Sequence, residues 1–560
     1  MINTSFAPKR QQPALLRALL PAIACMLLPG GLLAQYAASL IPATLSKNAD
    51  AVIRKHEFSI YVQDDRRAQV VVDQVVTLMN RRADDRATLY VPYDKFDKVI
   101  EITGEVYDAN GAMVRKLKLK EIEDQSATGS SFASDTRVKV ARLVHDRYPY
   151  TVHFRYSTSI KGLFAFPSWM PQDEEGVSVE QAGLEVITAP GQEIPHKTLN
   201  IPGGPEISEE QGKTHYRWEI SALPAIKQEP AGPPWREYTP SVMLSPADFE
   251  IQGYKGSTRS WNDFGKFYHS LNEGRDKLPP ALAQKVVELT SGLQTDREKI
   301  QALYNFMQKN TRYVSIQLGI GGWQSFDANY VYTNGYGDCK ALSNYTKSML
   351  AAAGIIAYPA LIRAGDFASD ILPDFSGTQF NHVILCVPNA GDTVWLECTV
   401  THFPAGYLGQ FTEDRYALLV TPEGGTLVRT PGSPPEANRQ QRSATVSLDK
   451  QGNARVQVAV TSTGYQQDHL RERIDRYSER EKEQWLRKSI AAKSFELTTF
   501  SFDGKVSAEM PAYRYTYEIS ASNWASPSGS RFFLAPNQLE YPRSLPDPVE
   551  KRTQPVLTQY

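Results

Sequence analysis

The spacing of apolar residues changes along the chain, and this change constrains the fold more than any other feature of the sequence. From about residue 50 to 245, apolar and polar residues alternate, as in Thr151–Ser157 and Glu101–Tyr107, which is the period of a half-buried strand. Turn signals such as Asn110-Gly111 separate these stretches, as expected of an antiparallel sandwich. The sequence therefore predicts an N-terminal β domain that ends near the Pro-rich segment 230–234.

Between about residues 255 and 355 the period becomes that of helices. The predicted helices cover Trp261–Leu271, Pro280 to about Ser291, a segment that begins with a Thr-x-x-Glu capping box at Thr295, and Lys340–Ala353. Strand patterns return at residues 357–362, 381–387 and 393–398. This middle part of the chain is therefore expected to be a mixed domain of helices and strands.

A chain of 560 residues is too long for one hydrophobic core, so several domains are expected. After residue 440 a second β-rich region begins with a hairpin around 449–453, and an amphipathic helix carries Leu470, Ile474 and Tyr477. The patterns together predict an α+β protein with antiparallel β-sandwich domains on both sides of the core. The predicted segments are an export signal at 1–34, an N-terminal β-sandwich domain at 35–245, the core at 246–430 and a C-terminal β-rich domain at 431–560.

The first 34 residues have the pattern of an export signal. Lys9, Arg10 and Arg17 form a basic start, residues 18–33 are apolar and uncharged, and Ala34 offers a cleavage point. The apolar stretch contains two prolines and is short for a membrane span. The sequence predicts export to the periplasm or to an outer-membrane-associated location, with an uncleaved anchor as the alternative.

The number of cysteines becomes informative in an exported protein. Four cysteines occur, and Cys25 lies within the predicted signal. Cys339, Cys386 and Cys398 are left, which is an odd number for an oxidising compartment. At least one thiol is therefore expected to be unpaired.

One of these cysteines lies at the start of a predicted helix. Two glycines interrupt the chain before Asp338, a natural N-cap, so Cys339 falls in the first turn of the helix that follows. A helix N-terminus favours an anion and so stabilises a thiolate, the form that attacks carbonyl carbon. Lys340 would add to this effect and Asp338 would oppose it. A lone cysteine at a helix start is more often a packed small residue. The interpretation of Cys339 as a nucleophile therefore depends on finding a base and an acid to act with it.

A histidine and a carboxylate follow on two strands that a turn connects. His382 opens the strand at 381–387, and Glu397 lies on the strand at 393–398. A hairpin of this length can return Glu397 to His382, where a carboxylate orients the imidazole and stabilises its charged form. Considered without the other, His382 would be interpreted as a core histidine, and Glu397 would be interpreted as a surface residue. With Cys339 they form an arrangement suited to acyl transfer at cysteine.

These segments resemble those of a known superfamily. The segment Tyr336-Gly-Asp-Cys-Lys-Ala-Leu-Ser343 resembles the nucleophile segment of the transglutaminase-like superfamily, and the His382 and Glu397 segments resemble its histidine and acid strands. The stretch 312–325 is similar to exported bacterial members with flanking β domains of unknown function. The resemblance covers about residues 255–425 in the core and extends into the flanks. It implies a papain-like core with Cys–His–acid catalysis by Cys339, His382 and Glu397.

Two positions depart from the superfamily pattern. Glu397 stands where Asp is usual, and Cys398 replaces the usual Pro. The resemblance also implies an oxyanion hole made by the backbone N–H of Cys339 and a side-chain donor. The candidate donors on the preceding segment are Gln317, Trp323 and Gln324.

Two other uses of the cysteines stay open. Cys339, His382, Cys386 and Cys398 are zinc-ligand types, although the sequence has no Cys-x-x-Cys and no second histidine near them. A disulfide between Cys386 and Cys398 across the hairpin is favoured over zinc, and it would leave Cys339 as the free thiol. The expected site therefore holds no metal and no cofactor.

The sequence thus predicts an exported cysteine acyl-transfer enzyme, a peptidase or amidase that acts on peptide or carboxamide bonds through an acyl-enzyme at Cys339. The superfamily also contains inactive members, so the alternative is a scaffold that binds peptide or glycan at the cell envelope. The expected partner is a peptide or protein substrate. A net charge of −1 without a basic stretch gives no reason to expect nucleic acid. The C-terminal domain is expected to be short compared with relatives.

Overall fold

The structure is a computed structural model that describes residues 35–127, 133–366, 368–389, 391–504, 510–535, 537–540 and 551–557. The predicted export signal, including Cys25, lies outside these residues. Among the helices described, none has both the length and the apolar character needed to cross a membrane. The fold is of the mixed α+β class, as predicted.

An eight-stranded sheet forms the centre of the N-terminal part. Its first strand, Ala51–Val62, pairs antiparallel with Arg67–Leu78 but parallel with Val177–Thr188, so the sheet is mixed and differs from the antiparallel sheet predicted. Parallel pairing requires a long connection, which the intervening strands supply. In spatial order the strands are Glu206–Glu210, Lys213–Leu223, Val177–Thr188, Ala51–Val62, Arg67–Leu78, Tyr150–Lys161, Asp97–Tyr107 and Met113–Lys116.

Smaller elements surround the large sheet. The predicted alternation in Thr151–Ser157 holds at its centre, where Val152 and Phe154 are buried and Arg155 is exposed, but Thr151 and Ser157 at its ends are buried as well. A short helix, Ala43–Ser46, precedes the first strand. The smaller sheets are Thr88–Tyr93 with Arg137–Arg142 and Glu123–Ser126, His196–Leu199 with Ser241–Leu244, and Asp248–Ile251 with Tyr254–Ser257.

Among its described residues, the core has five α-helices and a five-stranded antiparallel sheet. The capping box at Thr295 is present, and the four predicted helices are confirmed. A further short helix, Ala328–Asn334, was not predicted. The helices are Trp261–Asn272, Pro280–Thr290, Asp296–Asn310, Ala328–Asn334 and Cys339–Ala352, and the strands in spatial order are Asp392–Leu396, His382–Asn389, Tyr358–Ile362, Tyr416–Thr421 and Gly424–Arg429.

The helix Cys339–Ala352, called the central helix below, is the most buried of these helices. Ten of its fourteen residues are buried, between other helices and one face of the sheet. Leu385 and Leu396 on that face belong to the same apolar cluster as Leu342 and Leu350 of the helix. Burial of this much apolar surface fixes the helix against the sheet. Its first residue is therefore fixed relative to the edge where His382 begins its strand.

Where the structure describes the C-terminal part, it forms one four-stranded antiparallel sheet and two helices. The hairpin at 449–453 is confirmed, since Asp449 N–H donates to the carbonyl of Asn453. Leu486 packs in the same core as the sheet, so a helix rather than a second sheet covers this face in the described residues. The strands in spatial order are Gln440–Leu448, Ala454–Thr463, Ala512–Ala521 and Phe495–Asp503, a hairpin joins Ser526–Ser528 to Arg531–Phe533, and the helices are Tyr465–Ile474 and Glu479–Ser489.

Candidate active site

The start of the central helix is fixed by a turn that requires glycine. Gly335 has φ of +69°, which L side chains rarely adopt. A Cβ on Gly337 would lie 2.8 Å from the Cβ of Ala341, so a larger residue would force the helix start outward. Asp338 caps the helix by accepting a hydrogen bond from the N–H of Ala341 at 3.0 Å. The helix begins at Cys339, whose exposed fraction is 6%.

His382 and Glu397 are in contact at the edge of the sheet. The distances from His382 Nε2 to Glu397 Oε2 and Oε1 are 2.9 Å and 3.1 Å. The Thr399 hydroxyl and N–H donate to Oε1 at 2.6 Å and 3.1 Å, so the carboxylate is held from a second side. Glu397 is fully buried. The longer side chain therefore reaches the imidazole at hydrogen-bonding distance, although Asp is usual in the resembling proteins.

The imidazole of His382 lies between this carboxylate and the thiol. Because Nε2 faces Glu397, Nδ1 is the nitrogen available to Cys339. Burial opposes the charged imidazole, but Glu397 and hydrogen bonding with Cys339 outweigh it and raise the pKa of His382 to about 10. Burial likewise opposes the charged carboxylate, but the His382 charge and hydrogen bonds from His382 and Thr399 lower the pKa of Glu397. Both groups are therefore charged at neutral pH.

A cleft of about 270 Å³, called the thiol cleft below, contains Cys339 and His382. Of the three candidate donors, Gln317 and Trp323 line this cleft. Gln324 is not among its lining residues, and its Nε2 donates to the carbonyl of Leu271 at 2.8 Å and to the Tyr254 hydroxyl at 3.1 Å. The other lining residues are Tyr268, Gly322, Lys340, Leu361, Phe380, Asn381 and Val383.

Two family comparisons match separate parts of the chain. Residues 281–400, which include the nucleophile segment and both partner strands, match the transglutaminase-like superfamily. The core belongs to the transglutaminase-like superfamily. Residues 64–227 match a domain of unknown function with solved structure, DUF3857. Among curated proteins, nothing matches.

Solved structures also resemble this chain. A candidate protease from Parabacteroides distasonis is 14% identical, with a TM-score of 0.53, and the match covers 84% of this chain and 93% of that one. A candidate cysteine protease from Cytophaga hutchinsonii is 9% identical over 60% of this chain and 78% of that one, with a TM-score of 0.17. An M1 zinc metallopeptidase from Deinococcus radiodurans is 10% identical over 43% and 53%, with a TM-score of 0.19. The similarity to the Parabacteroides distasonis structure supports the fold described above for this chain.

The N-terminal part holds in place a core segment that lines the transglutaminase-like site. The strand Ala133–Ser134 pairs in parallel with Ile316–Gln317, so it holds the backbone of a cleft-lining residue. The Asp135 carboxylate accepts a hydrogen bond from Gly319 N–H at 3.1 Å. No pattern in the sequence predicts this pairing, because two-residue strands have no periodicity. Thr399 was also missed, although it lies two residues after Glu397 in the recognised segment.

The remaining cysteines of the transglutaminase-like core do not pair. All three described cysteines are free, and the predicted disulfide between Cys386 and Cys398 is wrong. Cys386 lies opposite Trp395 and packs on one face of the sheet, whereas Cys398 packs on the other face against the helices. For the same reason the four residues considered for zinc do not converge. The Cys398 thiol contacts the Thr346 hydroxyl at 3.7 Å instead.

Asp338 and Lys340, on either side of Cys339, form a buried ion pair. Lys340 Nζ lies 2.6 Å from Asp338 Oδ2, and the exposed fractions of the side chains are 4% and 1%. The charge of Asp338, which was expected to oppose a thiolate, is therefore balanced. We expect Lys340→Met to lower the free energy of unfolding by about 3–5 kcal/mol, because it leaves the buried Asp338 carboxylate without a cationic partner.

Denaturant unfolding measures this effect. The matched control is the double variant Asp338→Asn, Lys340→Met, in which the amide oxygen can still cap Ala341 and no charge is left unpaired. The double variant should recover most of the lost stability. A loss below about 1 kcal/mol in Lys340→Met would contradict the expected effect of the ion pair.

The stability contributed by the His382–Glu397 pair should depend on pH. The folded pKa of His382 is raised from 6.5 to about 10, so its contribution is complete below about 6.5 and is lost as pH rises to about 10. The pKa of Glu397 is lowered from 4.5, so its contribution is present above about 4.5 and is lost at lower pH. The pair should therefore stabilise the protein most between these two ordinary values.

The reference for this measurement is the double variant His382→Gln, Glu397→Gln, which removes both titrating groups. We expect the difference in unfolding free energy between wild type and this variant to shrink steadily as pH rises from about 6.5 to 10. A difference that stays constant over this range would show that His382 is not held in its charged form.

Proposed function

We propose that the chain is an exported cysteine acyl-transfer enzyme that hydrolyses peptide or carboxamide bonds. The observation that carries the proposal is the position of His382, between the Cys339 thiol and the buried Glu397 carboxylate in a cleft. Nucleophile, base and orienting acid in this order are the requirements for acyl transfer at cysteine. The carboxylate contact also weakens the alternative of a silent scaffold, which depended on Glu397 being too long.

The reaction follows from the charges of the three groups. An imidazolium beside Cys339 stabilises the thiolate, which forms a C–S bond to the substrate carbonyl carbon. His382 then gives its proton to the leaving amine as the C–N bond breaks, which leaves a thioester on Cys339. Water attacks the thioester as His382 takes its proton, and the acid product leaves as the thiolate and imidazolium are restored. Glu397 keeps the imidazole oriented throughout.

Two donors are available for the oxyanion that forms on the substrate carbonyl oxygen when the thiolate adds to the carbonyl carbon. The Cys339 N–H lies in the first turn of the central helix, where N–H groups have no partner within the helix. Gln317 lines the thiol cleft, and the strand Ala133–Ser134 holds its backbone. The rings of Trp323 and Phe164 pack edge to face, with their centroids 4.7 Å apart, so Trp323 forms a wall of the thiol cleft. We therefore assign the side-chain donor to Gln317.

Gln317→Ala should lower kcat by about 10²–10³-fold with a smaller change in KM, because an oxyanion donor acts mainly in the transition state. The comparison is Trp323→Phe, which removes the indole N–H and keeps an aromatic wall. Steady-state kinetics on one peptide separate the two. A larger loss of kcat in Trp323→Phe than in Gln317→Ala would move the assignment to Trp323.

The proposed reaction is tested by incubating the protein with a peptide mixture in isotopically labelled water. Hydrolysis places the label in new carboxyl termini, whereas acyl transfer to an added primary amine gives an unlabelled amide. Cys339→Ala is the blank. We expect labelled products, because water is always present and nothing identifies a dedicated amine site.

Alkylation of Cys339 tests the scaffold alternative. In the enzyme, the reaction rate below the ordinary thiol pKa of about 8.5 should fall when His382 is replaced by Ala. A thiol that becomes reactive only near that pKa, with equal rates in wild type and His382→Ala, would contradict the enzyme and favour a scaffold that binds peptide or glycan.

Export and the domain arrangement belong to the same proposal. Residues 1–34 carry the signal pattern, and cleavage would leave Gln35 as the first residue of the mature chain. Cell fractionation with N-terminal sequencing tests this. Recovery of the uncleaved chain in the membrane fraction would favour a retained anchor. A sandwich architecture for the N-terminal flank and the limits 35–245, 246–430 and 431–560 are likewise proposed.

A further inference from the structure

A second cavity adjoins the thiol cleft beneath the N-terminal part. Its volume is about 570 Å³. Gln317, Gly322 and Trp323 line both spaces, so the two cavities meet along this segment. We call the second cavity the lateral groove. A substrate that reaches Cys339 through the thiol cleft would therefore have the groove beside it.

The wall of the lateral groove is largely apolar. Phe164 is buried there and packs against the edge of Trp323, and Phe96, Ile160 and Ile251 also line the space. These residues come from both the N-terminal part and the core. Such a surface accepts an aliphatic chain, because burial removes its apolar area from water.

Three carboxylates stand in this apolar wall: Asp94, Asp97 and Asp135. None of them forms an ion pair with another described residue, although Lys95 passes close to Gly319 at the border of the groove. Asp94 accepts backbone N–H bonds from Phe96 and Asp97, and Asp135 accepts one from Gly319. Burial, together with the charge of Asp94, raises the pKa of Asp97 to about 6, as expected of a carboxylate without a cationic partner.

We propose that the lateral groove is a specificity subsite for a cationic side chain with an aliphatic stem, that of lysine or arginine, in the peptide substrate of Cys339. The stem of such a side chain covers apolar surface while its charged end pairs with carboxylates. This inference rests on the proposed function in one respect, that a peptide occupies the thiol cleft. Asp97 is the central carboxylate of the subsite, because Asp94 and Asp135 already accept backbone N–H groups.

Charged thiol reagents test the subsite without requiring turnover. Aminoethyl methanethiosulfonate is a cation and sulfonatoethyl methanethiosulfonate is an anion of similar size. With either reagent the Cys339 thiolate forms an S–S bond, the reagent's S–S bond breaks, and methanesulfinate leaves with the electron pair. Intact-mass measurements give both rate constants, with Cys339→Ala as the blank for the other thiols. The ratio of the cation rate to the anion rate cancels the intrinsic reactivity of the thiol.

The ratio should exceed one in wild type and should fall about three- to tenfold in Asp97→Asn, because a carboxylate next to the path of the reagent is lost. Asp97→Glu keeps the charge and should keep most of the ratio. The matched control is Asp146→Asn, which removes the same charge from an exposed site in the N-terminal part. In wild type the ratio should also fall as salt is added. An equal ratio in wild type and Asp97→Asn, or a ratio indifferent to salt, would overturn the proposal.

Substrate kinetics complete the test. Two peptides that differ only in lysine against norleucine, which has the aliphatic stem without the charge, should differ in kcat/KM. That preference should fall in Asp97→Asn about as far as the reagent ratio falls. Equal turnover of the two peptides by wild type would overturn the subsite. If no peptide is hydrolysed but the reagent ratio responds to Asp97, the proposed hydrolysis fails while the cation site stands.

Discussion

Cys339→Ala is expected to lower kcat by about 10⁵–10⁶-fold, because the nucleophile, base and acid act as a unit and no other group can form the acyl-enzyme. The thiol lines the cleft, its imidazole partner is charged, and the central helix fixes its position. Fold and stability should change little, since the substitution removes a single buried sulfur atom. Steady-state kinetics, with unfolding curves for both proteins, measure the two effects separately.

Cys386→Ala is the matched control for this variant. It removes an equally buried thiol of the same core, on the face of the sheet that packs away from the central helix. Its kcat should stay near that of wild type once the folded fraction is corrected for. Activity in Cys339→Ala within tenfold of wild type would rule out Cys339 as the nucleophile. Equal losses in the two variants would point to a structural effect on the core.

Glu397→Gln is expected to lower kcat by about 10³–10⁴-fold, the order of loss seen when the acid of a catalytic triad becomes an amide. The amide is neutral, so it no longer stabilises the imidazolium, and the pKa of His382 loses the main influence that raises it. The pH profile of kcat/KM should change as well, with its alkaline limb displaced to lower pH. A purely structural role for Glu397 would leave that limb in place.

Glu397→Asp separates the charge from the reach of the side chain. Aspartate keeps the charge but is shorter by one C–C bond, about 1.5 Å. That shortening exceeds what a 2.9 Å hydrogen bond tolerates, and it also removes the acceptor from Thr399. We expect an activity between those of wild type and Glu397→Gln. If Glu397→Asp were more active than wild type, the backbone here would have to suit the shorter acid that is usual in the superfamily.

The site depends on contacts between parts of the chain that are far apart. Gln317 is held by a strand of the N-terminal part, and the Gly319 N–H is held by Asp135. The same segment lines both the thiol cleft and the lateral groove. The residues that match DUF3857 end upstream of the core, yet they include the strand that pairs with the cleft-lining segment at Gln317. Catalysis and substrate selection are expected to require both parts in one chain.

The local elements of the core could be predicted from the sequence. Glycines before Asp338, the capping box at Thr295 and the apolar spacing after Trp261 each act within a few residues. The order of cysteine, histidine and acid could likewise be recognised, because short motifs carry it. The strand pairing of the eight-stranded sheet could not be predicted, because alternation shows that a segment is a strand but not which strand lies beside it.

What the sequence by itself determined was therefore which residues are proposed to react, Cys339, His382 and Glu397, and the helix that begins at Cys339. Only the tertiary structure decided that Glu397 reaches His382, that Cys386 and Cys398 face opposite sides of the sheet, and that a strand of the N-terminal part pairs with the cleft-lining segment at Gln317. The physical reason is range. Caps, turns and periodicity act over a few residues, whereas side-chain reach and sheet pairing are set by packing between segments separated by tens to hundreds of residues.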